Sequence, residues 1–350
     1  MGDWIASLLR GRRAARVPLM TVVVLGGLGL LTILQGFVFP LLRAQRGAAQ
    51  EAAVSAARDT TSQPPQVEST VRIVALSPAI AESARRLGIG KLLVGRHGFD
   101  AWSDAELIVC GDQSGLDAEA LLRAKPTHVY LEWGSRSLPG PVATIAAEQG
   151  WKVDIVTLLT LAQIRALIVS MLVEFREHGV DQGVLVRWDE AVGPRTAATA
   201  AERGKLGRVL VLYGDRQPVA AAGPGACQHE LLGNLGFTHA LSEGAAYQIL
   251  DRERLLELTA SREGEGGAPV VVVLKPRPAR ALLSGSEEIA SRRAAIDPET
   301  VRRALGLRDE TRIVVIDDSM AMVPGLNLID LSADLEQRLL ALVASDDKGK

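Results

Sequence analysis

The chain has 350 residues and almost balanced charge, with 39 basic and 41 acidic residues and a formal net charge of −2. Hydrophobic residues make up 47% of it, which is enough for a packed core and excludes a wholly disordered chain. The small net charge and the 4% aromatic content argue against a nucleic-acid-binding protein. Two cysteines, Cys110 and Cys227, are too few for a disulfide framework or a closed zinc site.

An uncharged apolar run occupies residues 19–42. As a helix it spans about 36 Å, enough to cross a hydrocarbon core of about 30 Å. More arginines precede the run than follow it, which places residues 1–18 in the cytoplasm and the bulk of the chain outside. A cleaved signal peptide is the alternative, but Arg43 and Arg46 stand where a small-residue cleavage site belongs. We therefore expect a retained single-pass transmembrane helix in the cell membrane.

Residues 43–71 are rich in Ala, Gln, Ser and Thr, and Pro64–Pro65 lie near their end. This composition predicts a flexible tether between the membrane segment and the rest of the chain.

The remainder, over 72–345, contains an internal repeat with corresponding points about 135 residues apart. Each half has an apolar strand, a helix that ends in Leu-Gly, a helix that begins at an Asp, and a second apolar strand. The strands lie at 72–77 and 129–133 in one half and at 208–214 and 270–274 in the other. Continuous apolar strands that alternate with helices predict parallel sheets covered on both faces. We expect two α/β lobes, over 72–160 and 205–345.

Residues 161–204 join the predicted lobes. Apolar residues recur at helical spacing from Leu161 to Phe175, and Gly179 ends that pattern. A second helical stretch begins near Asp181, and Gly193-Pro194 should kink or end it because proline lacks the backbone N–H. A connector made of helix restricts hinge bending between lobes.

Asp117 and Asp251 stand at equivalent points of the repeat, and each has the features of a helix N-cap. An acidic residue, Glu119 or Glu253, follows two positions later in the first helical turn. The helix dipole favours a carboxylate there, so capping alone explains both residues.

Four segments in register resemble one protein family: 72–95, 111–133, 208–236 and 312–331. They are similar to the substrate-binding proteins of cobalamin and iron–siderophore ABC importers, the helical-backbone metal receptor class. The resemblance implies two doubly wound, Rossmann-like lobes joined by a backbone helix, with ligand held between them. It also implies that Glu119 and Glu253 dock onto basic residues of an ABC permease. The chain departs from the family at Gly193-Pro194 and in its apparent membrane helix.

In open α/β sheets, ligands bind beyond the carboxyl ends of the strands. That criterion selects the following candidate ligand-binding residues: Ser77, Arg96, Phe99, Trp102, Trp133, Tyr213, Arg216, Lys275 and Arg277. The arginines could pin carboxylates of a chelate or tetrapyrrole, although chance placement explains them equally. The two tryptophans contact ligand or only cap the sheet edge.

Metal and thiol chemistry receive little support from the sequence. His97 and Asp100 form either half of a metal site or a surface pair, and the surface pair is favoured because the other histidines show no matching spacing. A disulfide between Cys110 and Cys227 would join the two lobes across the cleft, and we do not expect one.

The sequence therefore predicts a membrane-anchored extracytoplasmic receptor that delivers a metal chelate, siderophore or corrinoid to an ABC importer, with no cofactor of its own and no nucleic-acid partner. The alternative is a noncatalytic sensing or interaction module with the same fold and no transport role. An enzyme ranks last, because no GxGxxG follows either first strand and neither GxSxG nor a Walker loop is present.

Overall fold

The computed structural model describes residues 71–100, 103–112, 115–134, 136–261, 267–275, 297–318 and 320–348. The predicted cytoplasmic segment 1–18, the transmembrane helix 19–42 and the tether, apart from residue 71, lie outside these ranges. Within these ranges, no helix is both long enough and apolar enough to span a bilayer.

The first lobe is built on six strands: β1 (Ile73–Leu76), β2 (Leu93–His97), β3 (Ile108–Asp112), β4 (Gly115–Leu116), β5 (His128–Glu132) and β6 (Lys152–Val156). Their order is β4-β3-β2-β1-β5-β6, and every pairing is parallel except that of the edge strand β4. Its helices are α1 (Pro78–Arg86), α2 (Ala118–Ala124) and α3 (Gly140–Gln149). The strand order reverses at β1, as in a doubly wound sheet.

The second lobe also has six strands: β7 (Arg208–Tyr213), β8 (Val219–Ala222), β9 (Thr238–His239), β10 (Tyr247–Leu250), β11 (Val270–Leu274) and β12 (Arg312–Ile316). Their order is β10-β8-β7-β11-β12, and β9 pairs with the start of β7. The predicted parallel sheet is observed in part: β7, β11 and β12 pair in parallel, whereas β8 pairs antiparallel with both β7 and β10. Residues 214–218 turn the chain back, so a hairpin precedes the first helix of this lobe.

The helices of this part of the chain are α7 (Cys227–Asn234), α8 (Arg252–Leu258), α9 (Pro298–Leu305) and the terminal α10 (Leu328–Lys348). The predicted α/β class with two sheets is confirmed.

The connector is divided into α4 (Leu161–Glu174), α5 (Val184–Val192) and α6 (Ala197–Arg203), with a short 3₁₀ turn at Arg176–His178. The predicted breaks are confirmed: Gly179 has φ 79°, in the left-handed region that favours glycine, and α5 ends at Gly193. The connector is also bonded to the second lobe, because the carboxylate of Glu230 accepts a hydrogen bond from the backbone N–H of Leu161 at 2.8 Å.

Three hydrophobic clusters form the core. One packs α2 and α3 against one face of the first sheet, and another packs α8 and α9 against one face of the second sheet. The largest contains residues of both sheets, of α1, α7 and α10, and of the connector, including Trp188 and Phe175. The remaining faces of the two sheets therefore share one continuous core through the connector.

Candidate functional site

A cavity of about 620 Å³ lies at the carboxyl ends of β1, β2, β3 and β5. We call it the carboxyl-edge cavity. Trp133 and several leucines supply apolar surface, and the polar lining residues are Ser77, His97, Asp112, Glu132, Arg136 and Thr157. Its size and mixed lining are those of small-molecule sites, whose volumes usually fall between about 300 and 1,000 Å³.

Ser77 and Glu132 meet in this cavity across neighbouring strands. The Ser77 hydroxyl donates to Oε2 of Glu132 at 2.5 Å and accepts from the backbone N–H of Ala79 at 3.1 Å. Ser77 is therefore the N-cap of α1, and its proton is already committed to a carboxylate. Burial raises the pKa of Glu132, and the hydrogen bond from Ser77 opposes that rise.

An aromatic and cationic rim is formed by Trp133 and Arg136, both of which line the cavity. The Arg136 guanidinium carbon lies 5.4 Å from the centre of the Trp133 ring, a cation–π arrangement. The planar indole and guanidinium together offer a surface on which a flat or bulky ligand can pack.

His97 lines the cavity, but its predicted pairing with Asp100 as a surface pair is wrong. Asp100 is completely buried; its carboxylate accepts hydrogen bonds from Ser103 and lies 3.8 Å from the Arg85 guanidinium. His97 instead accepts a hydrogen bond at Nδ1 from the backbone N–H of Phe99 at 3.1 Å. Burial lowers the pKa of His97, so the ring is neutral at pH 7.

Two other predicted first-lobe residues do not line the cavity. Arg96 donates to the backbone carbonyl of Asp100 at 2.9 Å, which fastens its own loop. Phe99 is 59% exposed, with its ring 5.5 Å from that of His97. Trp102 lies outside the described residues, as does Arg277 of the second lobe.

At the carboxyl edge of the second sheet, the polar side chains bond to one another. Tyr213 donates to the side-chain oxygen of Gln228 at 2.8 Å, and burial raises the pKa of Tyr213. Lys275 pairs with Asp215 at 2.5 Å, and Arg216 is exposed. The structure therefore does not bring Tyr213, Arg216 or Lys275 into the carboxyl-edge cavity.

Cys227 and Tyr247 of the second lobe are not among the residues that line the cavity. Desolvation raises the pKa of each to about 12. The Tyr247 ring lies 5.4 Å from that of Tyr213. Cys110 and Cys227 are both buried free thiols.

The predicted caps are confirmed. Asp117 accepts from the backbone N–H of Ala120 at 2.9 Å, and Asp251 accepts from that of Arg254 at 2.8 Å. Glu119 and Glu253 follow in the first turns of α2 and α8, where both are exposed. Each lobe therefore presents one carboxylate on an outer helix.

Three charged residues that line the cavity were not among the sequence candidates: Asp112, Glu132 and Arg136. Glu132 is the last residue of β5, one position before the candidate Trp133. An acidic residue at the end of an otherwise apolar strand was the available signal. In the described part of the chain, no group of three or more His, Cys, Asp or Glu side chains is arranged to hold a metal ion.

No protein-family model matches the chain, and no curated protein sequence matches it. Solved structures do match its fold. The periplasmic heme-binding protein HutB of Vibrio cholerae is 21% identical with a TM-score of 0.57, over 77% of this chain and 99% of that one. The periplasmic heme-binding protein RhuT from Roseiflexus sp. RS-1 is 18% identical with a TM-score of 0.53, over 79% and 100%.

The periplasmic vitamin B12 binding protein BtuF of Vibrio cholerae is 15% identical with a TM-score of 0.50, over 77% of this chain and 97% of that one. The chain thus has the fold of the helical-backbone class of substrate-binding proteins. The resemblance found in the sequence is confirmed at the level of the fold.

Proposed function

We propose that the chain is a noncatalytic, extracytoplasmic solute-binding protein for a metal chelate, a siderophore or a corrinoid, and that it delivers this ligand to an ABC importer. The observation that carries the proposal is the carboxyl-edge cavity. It lies where ligands bind in open α/β sheets, and it combines an indole, a guanidinium, an imidazole and a carboxylate in one space. The fold shared with heme-binding and B12-binding proteins supports the same ligand class.

Ligand binding is tested on the full chain, purified in detergent, by thermal unfolding with hemin, cyanocobalamin or a ferric siderophore. A ligand that binds only the folded state raises Tm as its concentration increases above Kd. Trp133→Ala should weaken binding, whereas Trp4→Ala, outside the described lobes, is the matched control. If no compound of this panel shifts Tm, the proposed function is wrong.

We further propose that residues 19–42 anchor the protein in the cell membrane and that residues 43–71 tether the lobes outside it. The continuous apolar run and the arginines before it support this arrangement. The full chain should sediment with membranes and resist extraction by high salt, and a variant lacking residues 1–42 should not. Equal amounts of both forms in the soluble fraction would contradict the anchor.

Glu119 and Glu253 are proposed to dock on basic residues of a permease. Their exposure on an outer helix of each lobe supports the proposal, because rim charges steer association without being needed for folding. Charge reversal of both to Lys should reduce ligand uptake by cells while leaving ligand binding unchanged. Glu148→Lys, an exposed change on α3, is the control. Undiminished uptake by the double variant would favour the sensing module instead.

A further inference from the structure

Among the described residues, Glu132 is a half-buried carboxylate that forms no ion pair, unlike Asp100, Glu82 and Glu336. Asp100 lies beside Arg85, Glu82 beside Arg86, and Glu336 is bonded to Arg195 and Arg203. Among the side chains that the structure describes, none from Lys, Arg or His forms an ion pair with Glu132, and its pKa is governed by burial and by the Ser77 hydroxyl.

The groups around Glu132 do not compensate its charge. On the first lobe, Ser77 supplies one neutral hydrogen bond, and Asp112 adds a second carboxyl group to the cavity lining. On the second lobe, desolvation raises the pKa of the Cys227 thiol and of the Tyr247 phenol to about 12, and neither group can supply a positive charge. Lys275 is bonded to Asp215 instead.

Two basic side chains that line the cavity, those of His97 and Arg136, also form no ion pair with Glu132. His97 is neutral at pH 7, because burial lowers its pKa. Arg136 lies over the Trp133 ring and is exposed. The N-terminus of α1 offers partial positive charge through Ser77, but a helix end carries only about half an elementary charge. A carboxyl group with no ion-pair partner among the described residues therefore remains available inside the cavity.

We propose that Glu132 is a specificity-determining residue that selects a chelate carrying an ammonium group, which it binds inside the carboxyl-edge cavity. This inference rests on the proposed function and adds the charge class of the ligand to it. A half-buried carboxylate without a counter-ion has lost part of its hydration, and a ligand ammonium that bonds to it compensates for that loss. An anionic group at the same point adds like-charge repulsion, so the same residue rejects acidic chelates.

The test compares two probes that differ at one group. Ferrioxamine B carries a pendant primary amine that is protonated at neutral pH, and N-acetyl ferrioxamine B lacks that charge. Binding of each to the full chain in detergent is measured by calorimetry. The wild type should bind the ammonium form at least about tenfold more tightly, which corresponds to about 1.4 kcal/mol.

Glu132→Gln keeps the size and the hydrogen-bonding capacity of the side chain. This variant should bind ferrioxamine B and N-acetyl ferrioxamine B with nearly equal affinity. Glu132→Asp, which keeps the charge, should retain part of the preference for ferrioxamine B. Glu148→Gln, an exposed change of the same kind on α3, should leave the preference unchanged. Equal binding of the two probes by the wild type, or a preference that survives in Glu132→Gln, would overturn the proposal.

A second measurement does not depend on any probe. If Glu132 serves ligand binding and not stability, Glu132→Gln should raise the Tm of the ligand-free protein at pH 7.5, since it removes a half-buried carboxylate that has no ion-pair partner among the described residues. A lower Tm would assign Glu132 a structural role and contradict the proposal. Binding of hemin but of neither ferrioxamine overturns the inference while supporting the proposed function; binding of no chelate overturns both.

Discussion

The two lobes contain similar elements, but they differ in what occupies the carboxyl edge of the sheet. In the first lobe, β1 leads directly into α1 through Ser77, and the edge remains open as a cavity. In the second lobe, a hairpin strand is inserted between β7 and α7, and the edge is occupied by Tyr213 bonded to Gln228 and Lys275 bonded to Asp215. The residues that line the cavity therefore all belong to the first lobe.

Desolvated ionisable groups change the stability of the protein with pH in two opposite ways, and each lobe contains an example. In the first lobe, burial raises the pKa values of Glu82 and Glu132, so the folded state binds protons more readily than the unfolded state. Stability from these groups is greatest below about pH 4.5 and falls as the pH rises through their folded pKa values. In the second lobe, burial lowers the pKa of His239 to about 4, which gives the opposite dependence.

The largest loss of stability should come from a substitution in the hydrophobic core that the two lobes share. Trp188 on α5 is 2% exposed and belongs to the core that spans both sheets. Trp188→Ala should lower the free energy of unfolding by about 3–5 kcal/mol because it leaves a large cavity. Urea denaturation measures this. Val186→Ala, on the same helix but 61% exposed, should change it by about 0.5 kcal/mol or less, and equal losses would mean that the shared core is unimportant.

The inserted hairpin of the second lobe can be disturbed separately. A Cβ atom at Gly223 would lie 2.2 Å from the backbone oxygen of Ala245, so this glycine permits a close approach of two chain segments. Gly223→Ala should lower the free energy of unfolding by about 1–3 kcal/mol. Gly115→Ala in the first lobe has open space around its Cβ and is the control. If Gly223→Ala left the free energy of unfolding unchanged, the backbone of the hairpin would have to adjust to the added methyl group at little cost.

The acid sensitivity of the second lobe should be measurable at His239, whose ring stacks on that of His229 at 3.5 Å. Its lowered pKa gives stability that is present above about pH 6.5 and is lost as the pH falls toward 4. His239→Phe keeps a stacking ring without titration and should reduce the loss of stability between pH 7 and 4.5 by about 1–2 kcal/mol. Thermal unfolding at a series of pH values measures this loss. If the wild type and His239→Phe lost the same stability between pH 7 and 4.5, His239 would not be its source.

The smallest expected loss of stability comes from removing the N-caps that stand at equivalent points of the repeat. Asp117→Ala and Asp251→Ala each remove one N-cap, and each should cost about 1 kcal/mol in thermal unfolding. Asn at the same positions should restore most of the loss, since it caps about as well. Clearly unequal costs would show that the two lobes differ in local stability as well as in their edges.

Much of the local structure follows from short-range patterns. The caps at Asp117 and Asp251, the helix end at Gly193 and the five apolar residues of β11 depend on neighbours in the chain, so the sequence predicts them. The hairpin strand β8 (Val219–Ala222) was not predicted, because a four-residue segment with three alanines carries no strand pattern of its own. Its pairing with β7 and β10 depends on distant residues.

The amino-acid sequence alone determined the α/β class, the repeat and the broken connector, since these depend on periodicity and on local backbone chemistry. The resemblance to substrate-binding proteins came from four segments that are similar to a known family. Only the tertiary structure decided which candidates share a cavity. Ser77 and Glu132 are 55 residues apart in the chain and within hydrogen-bond distance in space, whereas Arg96 bonds to its own loop. Whether a carboxylate is paired or left free depends on packing between strands, which one-dimensional patterns do not record.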